Sequence, residues 1–138
     1  MGYTHYLQPK KKTTKAQFKK IVADVKKIEN HLASVGLVLY DGRGEKKGVV
    51  YADDYLAFNG CGDESHETFY FDLSSDFQFC KTNRKPYDIA VCMAMIAIKE
   101  HVKDIEVSSD GDFDAEWVSA IEMYATLFPK RKVLLEKE

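Results

Sequence analysis

The sequence predicts an α+β fold, a mainly antiparallel sheet packed against three helices. Two long segments carry apolar residues at helical spacing, and several short runs alternate apolar and polar residues as half-buried strands do. The length of 138 residues, with 45% apolar and 30% charged residues, is that of one soluble domain. We therefore predict a single domain over residues 1–138 with the order β-α-β-β-β-α-β-α, in which residues 129–138 are a tail or an extra strand.

The amino-terminal part of the chain predicts one strand and one helix. Residues 2–8, GYTHYLQ, alternate aromatic and polar side chains, which is typical of a strand. Thr14 and Gln17 form a capping-box pattern, and apolar residues follow at helical spacing with lysines on the other faces. We expect this helix to run from about Lys15 to Ser34 and to stop at Gly36.

The central part of the chain predicts an antiparallel meander. Residues 37–40, LVLY, are a candidate strand that leads into a glycine-rich loop, DGRGEKKG. Two further strand-like segments, residues 49–60 and 66–73, are joined by a turn that contains Gly62. In the second of these, alternate residues are large and apolar, so one face of the meander should lie on the core.

The carboxyl-terminal half predicts a buried helix, a strand and a last helix. Pro86 suits the first turn of a helix, and the segment from Asp88 to about His101 is apolar on almost all sides, which is typical of a deeply buried helix. Residues 104–109, DIEVSS, are strand-like. A stripe of large apolar residues after DGDFD then predicts a last helix, which Pro129 ends.

A cluster of basic and polar residues stands directly before the buried helix and is the best candidate site. Its members are Lys81, Thr82, Asn83, Arg84 and Lys85. The amide hydrogens of a helix's first turn lack partners, so together with these cations they would suit a phosphate or a carboxylate. About three charge-assisted hydrogen bonds, each of about 1.5–3 kcal/mol, would hold a small anion at micromolar affinity. The alternative is a solvated loop whose charges pair with Asp76 or Asp88.

Two histidines are further candidates. His66 follows the turn at Gly62, where an imidazole could act as a general base, a metal ligand or a hydrogen-bond donor to a ligand. His5 lies between Tyr3 and Tyr6, whose rings could stack on a nucleobase. The alternatives are a surface position for His66, and an aromatic strand face packed on the core for the two tyrosines.

Polar residues at strand ends complete the candidate set. Asn59 is followed by glycine in FNG, a pattern that suits close approach of a ligand to the backbone and equally a plain turn. Ser109 ends a strand and could line a site. Asp110 opens a D-x-D-x-D run, but an EF-hand loop would place glycine and glutamate where Ala115 and Ile121 stand. We therefore expect a strand-to-helix turn here, with no metal site and no cofactor.

Charge and cysteine content argue against several classes of function. The net charge is −2, and although residues 1–35 hold eight lysines and two acidic residues, the rest of the chain is acidic. Binding of DNA or RNA is therefore not expected. The three cysteines form no C-x-x-C pair, which argues against a disulfide framework and a structural zinc site. The sequence shows no signal region and no membrane-spanning run, so the expected compartment is the reducing cytoplasm.

Sequence signatures of catalysis are not found. The chain has no phosphate-binding G-x-x-x-x-G-K-[ST], no G-x-S-x-G and no H-E-x-x-H pattern. No local pattern pairs a histidine with a serine or cysteine nucleophile. The sequence therefore favours a binding protein over an enzyme.

The segments GYTHY, FNG, HETF, FCKTNRKPYD and VSSDGD occur in this order along the chain. In this combination the chain resembles, over nearly its whole length, a family of small, largely uncharacterised proteins encoded by tailed bacteriophages and prophages. The resemblance implies an accessory protein that acts in the cytoplasm of the host bacterium. It directs attention to residues within the motifs, namely His5, His66, Lys81, Thr82, Arg84 and Asp110. The loop at residues 41–54 is not part of the family pattern, so the resemblance implies no role for it.

Three functional hypotheses follow from these residues and from the resemblance. The first is a phage accessory protein that sequesters a small anionic ligand, a nucleotide or cyclic nucleotide signal, and so evades host defence. Its ligand-binding residues would be His5, Asn59, His66, Lys81, Thr82, Arg84, Lys85 and Ser109. The second is a small phosphoesterase-type hydrolase, with His66 or His5 as acid or base and Arg84 stabilising negative charge. The third is a module that inhibits a host enzyme through its acidic surface or its carboxyl-terminal VLLEKE, and a homo-oligomer is compatible with all three.

Overall fold

The fold consists of six strands and three helices within residues 2–135, the part of the chain that this computed structural model describes. They follow in the order β1 (Thr4–Gln8), α1 (Lys15–Ser34), β2 (Val50–Tyr51), β3 (Tyr55–Phe58), β4 (Phe69–Asp72), β5 (Gln78–Lys81), α2 (Asp88–His101), β6 (Glu106–Ser109) and α3 (Val118–Leu127). A short 3₁₀ turn, Gly62–Glu64, lies between β3 and β4. The predicted α+β class is confirmed, with one strand more than expected.

The strands form two small antiparallel sheets rather than one. Sheet 1 has the order β5-β1-β6, and sheet 2 has the order β2-β3-β4. β1 is the central strand of sheet 1, although both of its partners come from the second half of the chain. His5 therefore lies opposite Cys80 on β5 and opposite Ser109 on β6. This register brings the amino-terminal motif beside the strands that precede and follow α2.

Helix α1 begins with the capping box that the sequence predicts. The Thr14 hydroxyl accepts from the Gln17 N–H at 3.0 Å, and the Gln17 side chain accepts from the Thr14 N–H at 2.9 Å. The buried face of the helix consists of Phe18, Ile21, Asp24, Val25, Ile28 and Leu32. The chain leaves the helix through Gly36, whose φ of 93° lies in the left-handed region that favours glycine.

Helix α2 lies at the centre of the core. Every residue from Ala90 to Ile98 is buried, and α1 and α3 both pack against this helix. Because neighbours cover it on most sides, nearly all of its side chains are apolar, as the sequence predicts. Among the described residues, no helix is both long enough and apolar enough to cross a lipid bilayer.

Three segments differ from the sequence-based expectation. Residues 37–40 form no strand, because only Tyr40 pairs, through isolated bridges to Lys47 and Asn59. Residues 49–60 contain two strands instead of one, since the chain reverses where the Ala52 N–H donates to the Tyr55 carbonyl at 2.8 Å. Strand β5 lies in a segment, just before the basic cluster, for which the sequence pattern predicts no strand.

The residues that follow α3 are fastened to α1 by a buried carboxylate. Arg131 Nη1 lies 2.6 Å from Asp24 Oδ2, and Nη2 lies 3.2 Å from Asp24 Oδ1. His101 Nε2, at the end of α2, lies 2.7 Å from the same Oδ2. The hydrogen bonds that Arg131 donates to Asp24 raise the pKa of Arg131 further above its usual value. We call these three residues the Asp24 cluster.

The segment after α3, predicted as a tail or an extra strand, forms no strand within the described residues. Residues 131–135 are not a strand, and residues 136–138 lie outside the described residues. The segment is held by the Asp24 cluster and by partly buried side chains, Val133 and Leu135, which pack on the core. The end of the described chain is thus part of the packed domain.

Candidate functional site

His5 lies at the centre of the candidate site with both ring nitrogens hydrogen-bonded. Its side chain, on β1, is 0% exposed. Nδ1 lies 2.7 Å from Ser109 Oγ on β6, and Nε2 lies 2.6 Å from Asp88 Oδ1 at the start of α2. The rings of Tyr3 and Trp117 meet the imidazole in T-shaped contacts, each with a centroid distance of 5.0 Å. The imidazole therefore joins sheet 1 to the first turn of α2.

The partners of Ser109 determine which nitrogen of His5 carries the proton. Ser109 Oγ accepts from the Gly111 N–H at 2.9 Å and from the Trp117 indole N–H at 3.0 Å. A hydroxyl oxygen has two lone pairs, so its own hydrogen remains for the third contact. Ser109 consequently donates to His5 Nδ1, and Nε2 carries the proton that it donates to Asp88.

Asp88 accepts several hydrogen bonds and is the negative end of this chain of contacts. The Thr82 hydroxyl donates to Asp88 Oδ1, and the Cys92 thiol lies 3.7 Å from Oδ2. Burial raises the pKa of Asp88, but the hydrogen bonds from His5, Thr82 and Cys92 outweigh it and lower the pKa below 3.8. We call Ser109, His5, Asp88 and Thr82 the His5 network.

The lowered pKa of Asp88 predicts that the protein loses part of its stability in acid when this one carboxylate is protonated. Its folded pKa lies below the ordinary 3.8 of the unfolded chain, so the carboxylate stabilises the fold above that pH. The contribution is lost as the pH falls through the folded pKa. Urea unfolding from about pH 6 to about pH 2.5 should show Asp88→Asn well below the wild type at the upper end and closer to it at the lower end. A gap that stays constant over this range would contradict the assignment.

Three atoms of the site have the types and spacing of metal ligands. His5 Nε2, Cys92 Sγ and an Asp88 oxygen lie within 4.8 Å of one another, and all three are ligand types of zinc. A zinc ion on Nε2 would need the proton on Nδ1, whereas the contacts of Ser109 assign it to Nε2. Burial also raises the pKa of the Cys92 thiol and disfavours the thiolate. The geometry fits a hydrogen-bonded network better than a metal centre.

The order Ser109–His5–Asp88 matches the connectivity of a serine nucleophile, its base and an orienting acid. Nucleophilic attack needs a free lone pair on Oγ, but the N–H groups of Gly111 and Trp117 occupy both. His5 and Trp117 are also 0% exposed, so a substrate does not reach them. This arrangement fixes the positions of sheet 1 and α2 rather than supplying a nucleophile.

The basic turn, residues 81–85, is built directly on the His5 network. The N–H groups of Thr82 and Asn83 donate to the Tyr3 carbonyl at 3.0 and 3.3 Å. The buried Thr82 hydroxyl is held by Asp88. The next two residues, Asn83 and Arg84, have φ values of 53° and 62°, a left-handed conformation that side chains other than glycine rarely adopt. The backbone of the turn is thus held in a strained conformation by buried contacts.

The cations of the basic turn are available for a ligand. Arg84 is exposed, and its guanidinium lies 4.0 Å from the centroid of the Tyr3 ring. Lys81 and Lys85 are partly exposed. Among residues 2–135, the ion pairs found within 4.0 Å include none of these three cations. Backbone hydrogen bonds, and after them the charge of Arg84, lower the pKa of the exposed Glu116 carboxylate.

The amino terminus of α2 carries a carboxylate of its own, and two of its first amide hydrogens have partners within the chain. The N–H of Asp88 donates to the Lys85 carbonyl at 2.8 Å, and the N–H of Ala90 donates to the Tyr87 carbonyl at 2.9 Å. The Asp88 carboxylate supplies the negative charge that a helix amino terminus favours. The anion-binding groups that this region offers most clearly are therefore the side chains of the basic turn.

Asn59 and His66 lie together in a different turn. Asn59 is buried; its Nδ2 donates to the His66 carbonyl at 3.0 Å, and its Oδ1 accepts from the His66 N–H at 3.0 Å. The His66 side chain is exposed. The next residue, Glu67, accepts from the Lys81 N–H at 2.9 Å through Oε1. This turn thus contacts β5, but the side chain of Asn59 itself holds the backbone of His66.

Of the residues that the sequence selects, His5, Thr82 and Ser109 share one network, and Lys81, Arg84 and Lys85 lie on the turn that it supports. Sequence reasoning missed Asp88 as the common partner and Trp117 as a donor to Ser109. The sequence contains one indication that Asp88 faces the core, because Asp88 and the buried Cys92 are four residues apart and so share a helix face. The contact between β1 and α2 has no such local signal.

Comparison with known proteins adds no homologue to this picture. No protein-family model matches the chain, and no curated protein or solved structure matches it either.

Proposed function

We propose that the protein binds a small anionic ligand, a nucleotide in the simplest case, at the basic turn and holds it without converting it. The observation that carries the proposal is the combination of three available cations with a locked, left-handed backbone on one short turn. Charge-assisted hydrogen bonds from lysine and arginine are the usual means of holding phosphate.

The strain at Arg84 supports a role in recognition. A left-handed conformation at a residue other than glycine or asparagine costs about 1 kcal/mol or more, and such residues cluster at ligand sites. The conformation places the guanidinium over the Tyr3 ring, which keeps it in one orientation. A cation that is already oriented loses less conformational entropy when a ligand binds.

In this proposal the His5 network supports the site instead of touching the ligand. His5 and Thr82 are each 0% exposed, so a ligand does not reach their side chains. Their hydrogen bonds fix Asp88, and through Thr82 they fix the backbone of the basic turn. A rigid supporting layer of this kind keeps binding groups in their productive geometry.

Binding without turnover is supported by the state of Ser109, because both lone pairs of its hydroxyl are occupied by N–H donors and it is no free nucleophile. For a cytoplasmic phage protein, as the resemblance implies, such binding would sequester a host signalling nucleotide and so counter host defence. Release of phosphate or of a nucleoside during a binding experiment would instead favour the phosphoesterase hypothesis.

Arg84→Ala should weaken nucleotide binding by about tenfold to a hundredfold, since one charge-assisted hydrogen bond contributes about 1.5–3 kcal/mol. Isothermal titration calorimetry with a panel that includes ATP, GTP and cyclic AMP would measure this effect. The matched control is Arg43→Ala, an exposed arginine in the 41–48 loop, which should bind like the wild type. No binding by the wild type, or equal affinities for the wild type and Arg84→Ala, would refute the proposal.

A further inference from the structure

The outer face of sheet 1 carries three aromatic side chains that nothing in the described chain covers. Phe77 is 51% exposed and Phe79 is 56% exposed, while Tyr6 on the neighbouring strand is partly exposed. Phe77 lies 6.0 Å from Tyr6 and 6.0 Å from Phe79, measured between ring centroids. Tyr6 and Phe79 are also cross-strand partners. We call these three side chains the aromatic face.

Strand β5 contributes to the core through Cys80 and not through its aromatic side chain. Cys80, between Phe79 and Lys81, is 1% exposed and points to the core. The solvent face of an antiparallel sheet is ordinarily polar, so a contiguous aromatic surface there marks a contact site. Its rings are large and flat, which suits a stacked planar ligand.

The aromatic face leads directly to the basic turn. Phe79 and Lys81 are alternate residues of β5, so they share one face about 6.6 Å apart, and Phe77 directly precedes the strand and packs against Phe79. Lys81 also begins the basic turn that carries Arg84. This order, aromatic rings followed by a cation, is the order of a nucleobase and its phosphate.

The charges around the aromatic face give the ligand one orientation. Two acidic residues on this side have hydrogen-bond or ion-pair partners, since the Tyr6 hydroxyl donates to Asp110 at 3.0 Å and Lys10 lies 3.8 Å from Glu106. Asp76 precedes Phe77, at the end of β5 that is opposite to the cations. A phosphate would therefore lie towards Lys81, with its base over the rings.

We infer that the ligand of the basic turn is a purine nucleotide whose base stacks on Phe79, beside Phe77 and Tyr6, while Lys81, on the same face of β5, binds its phosphate. This inference rests on the proposed function and adds to it a second contact surface and the chemical class of the ligand. A purine offers the larger stacking surface to these rings. The net charge of −2 and the acidic residues beside the rings favour a mononucleotide over a long nucleic-acid strand.

The test compares a ligand that has a base with one that lacks it. ATP and inorganic tripolyphosphate are titrated into the wild type and into Phe79→Ala, with Tyr70→Ala as the control. Tyr70 is also an exposed strand aromatic, 46% exposed, but it lies on β4 of sheet 2. We expect Phe79→Ala to bind ATP about tenfold more weakly, the loss that one base–aromatic stack represents, and to bind tripolyphosphate as the wild type does. Tyr70→Ala should match the wild type with both ligands.

Other outcomes separate the inference from the proposed function. If Arg84→Ala weakens ATP binding and Phe79→Ala does not, the stacking surface is wrong and the anion site stands. If neither ATP nor tripolyphosphate binds the wild type, both fail. Tighter binding of a single-stranded oligonucleotide, or a dimer that Phe79→Ala dissociates in the absence of nucleotide, would overturn the inference in favour of another occupant. Adding ATP to the wild type should shift the NMR signals of the backbone amides in residues 77–85. This measurement needs no variant.

Discussion

His5→Ala is expected to lower the free energy of unfolding by about 3–5 kcal/mol. The substitution removes the proton donor to Asp88 and the acceptor for the Ser109 hydroxyl, and both groups are at least partly buried. It also leaves a cavity between the rings of Tyr3 and Trp117, which adds to the loss. Urea unfolding followed by circular dichroism would measure the change.

His66→Ala is the matched control for this substitution. The His66 side chain is exposed, and among residues 2–135 only its backbone forms hydrogen bonds. Its replacement should change the free energy of unfolding by no more than about 0.5 kcal/mol. Hydrogen exchange adds a second reading, because the Thr82 amide bonded to the Tyr3 carbonyl should lose protection in His5→Ala. Equal stabilities of the two variants would show that the His5 network does not hold the fold together.

Asp24→Ala is expected to lower the free energy of unfolding by about 3 kcal/mol. The loss leaves the Arg131 guanidinium and the His101 ring without their shared acceptor. The expected value is at the lower end for a buried pair because 26% of the Arg131 side chain is exposed to water, which replaces part of the interaction. Chemical denaturation would measure this effect as well.

A double-mutant cycle separates the ion pair from other effects of the Asp24 substitution. Asp24→Ala, Arg131→Ala and the double variant should show a coupling energy of about 1.5 kcal/mol or more between the two positions. Asp53→Ala, at an exposed carboxylate, is the control and should leave stability unchanged. Additive losses in the cycle would mean that Arg131 does not depend on Asp24.

The helices could be predicted from the sequence because their signals are local. The Thr14–Gln17 capping box and the apolar stripe place α1 where the structure has it, and the apolar run after Pro86 does the same for α2. The strands were harder, since pairing is decided between distant segments. Strand β5 ends in a basic, polar sequence that is typical of a loop, and only its pairing with β1 makes it a strand.

The candidate site divides in the same way between local and distant signals. The cations of the basic turn are visible in the sequence because they are adjacent. The link between His5 and Asp88 joins residues that are 83 positions apart, and no spacing rule connects β1 to α2. The burial of His5 and Thr82 likewise follows from the tertiary packing, and in the function that we propose these two residues support the turn.

The left-handed backbone at position 84 favours glycine, whereas the proposed ligand contact requires the guanidinium of Arg84. Glycine would relax the turn and make the domain more robust, but it would also remove the guanidinium. A sequence selected for thermal endurance alone would tend to replace this arginine, whereas one selected for recognition would retain it. Under the proposed function, stability and affinity therefore compete at this position, and engineering for stability should leave it untouched.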